Sequence, residues 1–543
     1  MTIFPGLDAS GNSNNWTENN INNTGSTATT YDIMTDVPTL TDADTANYAV
    51  MNPLVPNGTM TNGNLQVASR AANGYASLAS ISVSETGNWY CEVTPTSKSA
   101  GNYHLGIFGY TTVHTPYNPR LLYVGTGSAY NDGTNVGTWA SYTTNDIIGI
   151  AYNSSTKTAY FYKNNSLQGS MTTTATENMY FGTVGDSSGT SQNYAFNFGQ
   201  RPFAYTPPAG YLKLNTFNLP DSSIVDGSEN FVPVIWTANG SDQFISTGFN
   251  PDFVWYKTRN QAYDHYLLDS LRSGALNSNN ADAEGGGGGS SNLGTGGFTI
   301  NAGAASDTEV AWNWKAGGTA VSNTAGTIGT SQVSANTTAG FSVVTFTGTG
   351  STQTVGHGLG VTPKFYIIKN RTVTANWYTY TTVIDGSLDF LFLEQTSAKA
   401  DSGLALPTSS VFTVNSSVAP NTNNMVAYCF ADVEGYSKFG SYTGNGSADG
   451  PFVYTGFKPA YVLIKRTDAV GTWWIHDAAR NTYNVVDDYL FAESSAAEAT
   501  YANMDFTSNG FKLRLATYQP NASGGSYIYM AFAENPFKNS LAR

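Results

Sequence analysis

The sequence predicts an all-β, multidomain protein: a β-sandwich followed by three tandem β-sandwich-like modules. A strand-like phrase occurs three times, as Phe249-Asn250-Pro251-Asp252-Phe253-Val254-Trp255-Tyr256-Lys257, Val361-Thr362-Pro363-Lys364-Phe365-Tyr366-Ile367-Ile368-Lys369 and Phe457-Lys458-Pro459-Ala460-Tyr461-Val462-Leu463-Ile464-Lys465. Such a repeat fixes the architecture of more than half the chain. Aromatics reach 13% with 34 Tyr, while Leu, Lys and Glu are sparse, a balance that favours sheet over helix. At 543 residues the chain exceeds one hydrophobic core, so several domains are expected.

The formal charge is -14, and charged residues make up only 11% of the total. A nucleic-acid binder needs a basic face, and docking on an anionic membrane needs one too, so neither partner is expected. No apolar run approaches the ~20 residues that cross a bilayer. The start, Met1-Thr2-Ile3-Phe4-Pro5, lacks the charged and apolar pattern of a secretory signal. Cys91 and Cys429 both sit beside aromatics in strand-like runs and read as buried small hydrophobes, not as a disulfide.

Residues 1–59 are rich in Asn, Thr, Asp and Ser, with little apolar area to offset ordering entropy. They are expected to form a polar N-terminal arm, either a loose terminus or a segment for attachment or trimerisation. From 60 to 205, strand patterns alternate with Gly, Asn, Asp and Pro turns. Thr158-Ala159-Tyr160-Phe161-Tyr162, bracketed by Asn153-Ser154-Ser155 and Lys163-Asn164-Asn165, has the composition of a hairpin.

Four phrases in this stretch carry a resemblance: Gly87-Asn88-Trp89-Tyr90-Cys91-Glu92-Val93, His104-Leu105-Gly106-Ile107-Phe108, Asn145-Asp146-Ile147-Ile148-Gly149-Ile150-Ala151-Tyr152 and Ala159-Tyr160-Phe161-Tyr162-Lys163-Asn164. In order and spacing they resemble the core strands of a SPRY domain. The resemblance implies a concanavalin A-like sandwich of two antiparallel sheets. Cys91 stands where that family usually carries an aromatic, and Asn165 where it carries a turn glycine, and no ligand is carried over.

Pro207-Pro208-Ala209-Gly210 cannot continue a ladder, so the sandwich should close there. Residues 206–228 then form a connector expected to lie against the sandwich through Tyr211, Leu212, Leu214 and Phe217.

The repeats follow as module 1 (229–318), a linker (319–336), module 2 (337–434) and module 3 (435–543). Each opens with an aromatic-Thr turn: Trp236-Thr237, Phe346-Thr347 and Tyr442-Thr443. After the phrase comes an aspartate (Asp269, Asp385, Asp477), then a phenylalanine (Phe298, Phe412, Phe511). The closing strands contain Trp312-Asn313-Trp314, Tyr428-Cys429-Phe430 and Tyr529-Met530-Ala531-Phe532. Gly317 to Thr338 is mostly Ala, Ser, Thr and Gly, the composition of a lightly packed linker. The second and third modules abut and are expected to form a rigid pair.

The repeated phrase fits a strand buried on both faces, its proline first and its lysine emerging at the end.

No catalytic signature is convincing. None of His104, His114, His265, His357 and His476 has a metal-ligand spacing, and no cofactor is expected. Gly285 to Gly289 opens no helix and reads as a loop, and Gly185-Asp186-Ser187-Ser188-Gly189 lacks the strand-to-helix context of a nucleophile elbow. A glycosidase needs two carboxylates facing a sugar. Asp264 with Asp269, or Asp487 with Asp488, could supply a pair, as any acidic protein could. Asp269 with Arg272 and Asp477 with Arg480 most simply close turns by charge-assisted hydrogen bonds, and Asp385 lacks that arginine. The chain is therefore expected not to be an enzyme.

Exposed aromatics on an Asn- and Thr-rich surface could stack on sugar rings, or pack against a neighbouring module. The candidates for glycan contact are Trp377, Trp473 and Trp474, with His114, Tyr117 and Arg120 in a long sandwich loop. Neighbouring Trp473 and Trp474 should face opposite sides of a strand.

The polar arm, the sandwich, Phe198-Gly199-Gln200-Arg201-Pro202-Phe203 and the modules with Ala311-Trp312-Asn313-Trp314-Lys315-Ala316-Gly317-Gly318 together resemble tail-fibre and virion-surface proteins of marine bacteriophages, especially those of cyanobacteria. The resemblance implies a structural protein on the virion surface, made in the host cytoplasm. It would contact other virion proteins, bind host cell-surface glycan and assemble as a homo-oligomer, usually a trimer. The alternatives are an architectural capsid or tail decoration, and a polysaccharide depolymerase.

Overall fold

The structure, a computed structural model, describes residues 36, 42–54, 58–69, 76–84, 86–98, 102–109, 120–175, 178–185, 192–285, 292–301, 303–516, 519–536 and 538. It divides into two compact units, Met1–Asp221 with Leu541–Arg543, and Ser222–Ser540. Among the described residues the regular structure is all strand, apart from one 3-10 turn at Gly227–Glu229, as the sequence predicts. No helix there is long and apolar enough to cross a membrane.

The first unit is a sandwich of two antiparallel sheets. One runs Thr59–Thr61, Gln66–Ser69, Gln192–Asn197, Asn88–Lys98, Ile148–Asn153, Thr158–Lys163, Ser166–Thr172 in spatial order. The other runs Ala76–Leu78, Met179–Val184, His104–Gly109, Arg120–Val124, Ser128–Asn131, Thr134–Thr138. Each of the four phrases quoted for the resemblance therefore falls mainly within one of these strands. Cys91 is buried and free. Asn165 lies at the hairpin tip with φ 69°, a left-handed backbone that asparagine adopts more readily than most residues.

Part of the polar arm belongs to this core. Tyr48 and Met51 are buried, Tyr48 bridges to Asn215, and Met51 bridges to Ala79. The connector does lie against the sandwich, since Leu212–Lys213 pairs in parallel with Asn88–Lys98 and Leu214 is buried. Leu212 and Phe217, expected to pack there, are exposed. The ladder ends at Lys213, so strand alternation does not carry the inward orientation of Leu214 back to Leu212.

In the second unit the three modules share one strand order: opening, closing, lysine, return. The opening strands are Phe231–Thr237, Phe341–Thr347 and Ser437–Thr443; the closing strands are Thr308–Trp314, Asn424–Phe430 and Ser526–Pro536. The lysine strands, which hold the repeated phrase, are Phe253–Thr258, Phe365–Asn370 and Phe457–Arg466; the return strands are Tyr266–Asp269, Tyr378–Thr381 and Trp473–Asp477. The lysine strands are buried on both faces, as the unbroken apolar phrase requires. Pro251 and Pro363 precede their strands, whereas Pro459 sits inside its strand at a bulge, where no regular ladder bond is lost.

Three expectations change. Residues 317–338 are not simply a linker: Val321–Gly326 and Gly329–Asn336 form a hairpin that extends the second module's sheet. Thr and Ser tolerate an edge strand, and the composition alone hides the pairing. Nor are only the last two modules joined. One continuous core holds Phe253, Trp312 and Trp314 of the first, Phe341, Tyr428 and Phe430 of the second, and Tyr461 and Phe532 of the third. Phe253 stacks on Tyr428 at 4.2 Å, and Phe231 stacks on Phe532 at 5.0 Å.

Finally, Lys257, Lys369 and Lys465 do not emerge into solvent; all three are fully buried. An ammonium can be buried only with its donors satisfied. Lys257 donates to the carbonyls of Thr258 and Gln261. Lys369 reaches the carbonyls of Ala375 and, in module 1, Ala281; Lys465 reaches Arg466 and, in module 2, Thr396 and Ser397.

Candidate functional site

The sequence candidates separate sharply. His114 and Tyr117 lie outside the described residues. Arg120 begins the strand Arg120–Val124, where its backbone N–H donates to Asp132 at 2.7 Å. Gly285 is described but Gly286 to Gly289 are not, and of the Gly-x-Ser-x-Gly match only Gly185 is described.

Trp377, immediately before its return strand, and Trp473, the first residue of its own, hold equivalent positions and are buried, so neither offers a ring face to a ligand. They sit between modules instead. The indole N–H of Trp377 donates to Asn277 O at 2.8 Å, and that of Trp473 to Phe392 O at 3.0 Å. The equivalent residue of module 1 is His265, whose Nε2 lies 3.0 Å from Phe491 O of module 3. Nε2 must carry the proton to donate there, and Nδ1 accepts from Trp255 at 2.9 Å. Burial, with Lys257 nearby, pushes His265 down to about 3, which keeps it neutral in this role. Module 2 thus contacts module 1, module 3 contacts module 2, and module 1 contacts module 3, closing a ring of three.

The aspartates serve the same seams. Asp269 pairs with Arg272 and accepts from Tyr428 OH of module 2 at 2.7 Å; Asp477 pairs with Arg480 and accepts from Trp312 Nε1 of module 1 at 2.9 Å. All four charged side chains are fully buried. Asp385 is not their counterpart, because register places Thr381 opposite Phe365 as Asp269 stands opposite Phe253 and Asp477 opposite Tyr461. At the third seam the aromatic donor is missing as well, since Met530 occupies the register position of Trp312 and Tyr428. The aspartates are thus held by partners in the core, as a turn-closing role implies. A bulge between Val486 and Asp488 lets Asn481 bond both Asp487 and Asp488, at 2.9 and 3.3 Å.

Trp474 behaves as strand alternation predicts: Trp473 is buried and Trp474 half-buried. It lies on the outer face of module 3 opposite Phe491 of the neighbouring strand Val486–Phe491. Its ring is 4.8 Å from Phe491 and 4.6 Å from Tyr489, and both of those rings are also half-buried. Beneath them His476 is parallel to Trp474 at 6.1 Å and 8°. Its Nδ1 lies 3.1 Å from Asp488 O and therefore carries the proton; burial, with Arg480 adjacent, pushes it down to about 3, so it is neutral. The Trp474 indole N–H, although buried, meets no acceptor among the described residues. Beside Tyr489, the next strand presents the exposed Ala499, whose methyl leaves the ring uncovered.

The result is a shallow aromatic platform on a firm support, able to hold a flat, partly apolar, hydroxyl-rich ligand. Sequence reasoning found Trp474 but missed Tyr489 and Phe491; the signal was there in the alternation Trp474-x-His476 and Tyr489-x-Phe491. Among the described residues no group of three or more His, Cys, Asp or Glu is placed to hold a metal.

The family model described as "Domain of unknown function (DUF7483)" matches residues 226–536. Among solved structures, the chain is similar to the SPRY domain of human HERC1 at 19% identity, covering 26% of this chain and 91% of that one with a TM-score of 0.23. It is similar to the TRIM65 PSpry domain at 11% identity, covering 28% and 92% with a TM-score of 0.23. It is also similar to stonustoxin at 12% identity, covering 30% of each chain with a TM-score of 0.23. No curated protein matches.

Proposed function

Because the chain belongs to the family described as "Domain of unknown function (DUF7483)", a description that names no activity, we propose its role from its own surfaces: a bacteriophage virion protein, a tail fibre or fibre-like appendage, that binds host-surface glycan during adsorption. The observation that carries this reading is the half-buried platform of Trp474, Tyr489 and Phe491, in a chain of which only 11% of residues are charged. The C–H face of a pyranose packs on such rings. The binding has no chemical step and uses no cofactor or metal. The phage assignment rests on the sequence resemblance given above.

The test is binding of fluorescently labelled full-length protein to cyanobacterial host cells before and after mild periodate oxidation of their surface sugars. Binding that periodate abolishes supports the reading; binding indifferent to periodate, or absent on untreated cells, contradicts it.

A second reading, a capsid or tail decoration that binds only other virion proteins, is favoured by the burial of Trp377 and Trp473 within the protein's own seams. Immunogold labelling of virions separates the two, since a decoration would follow lattice positions and an appendage would sit at the tail.

A further inference from the structure

We infer that module 2 carries a second, register-equivalent glycan platform centred on Tyr378, so that one chain grips a polymeric glycan at two places. The inference rests on the glycan reading above. The strand registers make the equivalence position by position. Tyr378 stands opposite Phe392 as Trp474 stands opposite Phe491. Phe390 stands opposite Ala400 as Tyr489 stands opposite Ala499.

The rings of Tyr378, Phe390 and Phe392 form a mutual cluster, with centroids 5.1 to 5.4 Å apart, as their counterparts do. All three are half-buried, and Ala400, like Ala499, is exposed. A small residue at the same rim position in both modules keeps both ring clusters open. Either larger side chains or a covering strand at that position would have closed them.

Module 1 lacks the platform. Leu276, which bridges to Leu267, takes the register of Leu391 and Leu490, so Ala275 and Asn277 stand where the other modules carry aromatics. The aromatic cluster is therefore not a packing requirement of the module fold, because one copy is built without it.

Two platforms held at a fixed separation within one shared core suit a ligand whose unit repeats along a chain. The second contact is then intramolecular, and avidity rises by a factor of up to ~10²–10⁴ over one site.

The test uses full-length protein with exopolysaccharide purified from a cyanobacterial host, and with short oligosaccharides made from it by mild hydrolysis. Ala400→Lys and Ala499→Lys each cover one platform from an exposed position, so the core is left intact. The expected result is that the polymer binds at least roughly tenfold more tightly than the oligosaccharide, that either variant removes this advantage, and that the double variant binds neither. If Ala499→Lys abolishes binding while Ala400→Lys leaves polymer affinity unchanged, the second platform is wrong and the glycan reading stands. If neither variant changes polymer binding, or the wild-type protein binds no polymer, the glycan reading fails and takes the second platform with it.

Discussion

The indole N–H of Trp377 donates to the backbone carbonyl of Asn277 at 2.8 Å, joining module 2 to module 1. The same position in module 3 and in module 1 makes the same contact to the next carbonyl round the ring, so three repeats that look like beads in sequence are one body. Trp377→Phe keeps most of the volume but leaves that carbonyl unpaired, and is expected to cost about 1–3 kcal/mol. Trp377→Ala should cost about 3–5 kcal/mol. Denaturant unfolding measures both.

The aspartate seams yield an asymmetric prediction. Asp477→Asn weakens a fully buried pair with Arg480 and is expected to destabilise by about 3–5 kcal/mol. Copying the aspartate into module 2, as Thr381→Asp, should also destabilise, because Ile384 stands where Arg272 and Arg480 stand in the other copies. Thermal unfolding of the two variants decides this; a stabilising Thr381→Asp would contradict the account of the seams.

The buried lysines set a pH dependence. Burial lowers Lys257, Lys369 and Lys465 to about 8, below the ordinary lysine value. Between about pH 8 and the unfolded lysine value near 10, the unfolded chain therefore binds more protons than the folded one, and the lysines make stability rise with pH across that window. The ceiling is about 1.4 kcal/mol per lysine per pH unit. Lys465→Met should remove about a third of this slope, as read from denaturation midpoints at a series of pH values.

The histidines act in the same direction at lower pH. His476 and His265 are held down at about 3, so their contribution is complete above the unfolded value near 6.5 and is lost as pH falls toward 3. Their ring C–H resonances should not titrate between about pH 8 and 5. His476→Phe should reduce the loss of stability on acidification.

Strand composition and periodicity sufficed for the all-β class, for the burial of the lysine strands and for the inward and outward choice at Trp473 and Trp474, because each is a local consequence of pattern, whereas the two-sheet sandwich came from the resemblance of four phrases to a SPRY domain. Closure of the ring was not legible. It depends on which carbonyl a buried Lys465 or Trp473 reaches, and those partners lie 68 to 81 residues away. The mistaken match of Asp385 has a similar cause, since counting along the chain cannot fix register where a loop changes length, whereas pairing with Phe365 selects Thr381. Two of the three platform rings were missed because Tyr489 and Phe491 meet Trp474 only once their strands pair.

The most direct test of the central claim is a competition assay in which purified full-length protein is added to host cells before phage, and free phage are counted over time. Saturating wild-type protein is predicted to slow adsorption severalfold, and Ala499→Lys protein to do so less. Adsorption that stays unchanged under saturating wild-type protein would contradict a role in host glycan binding.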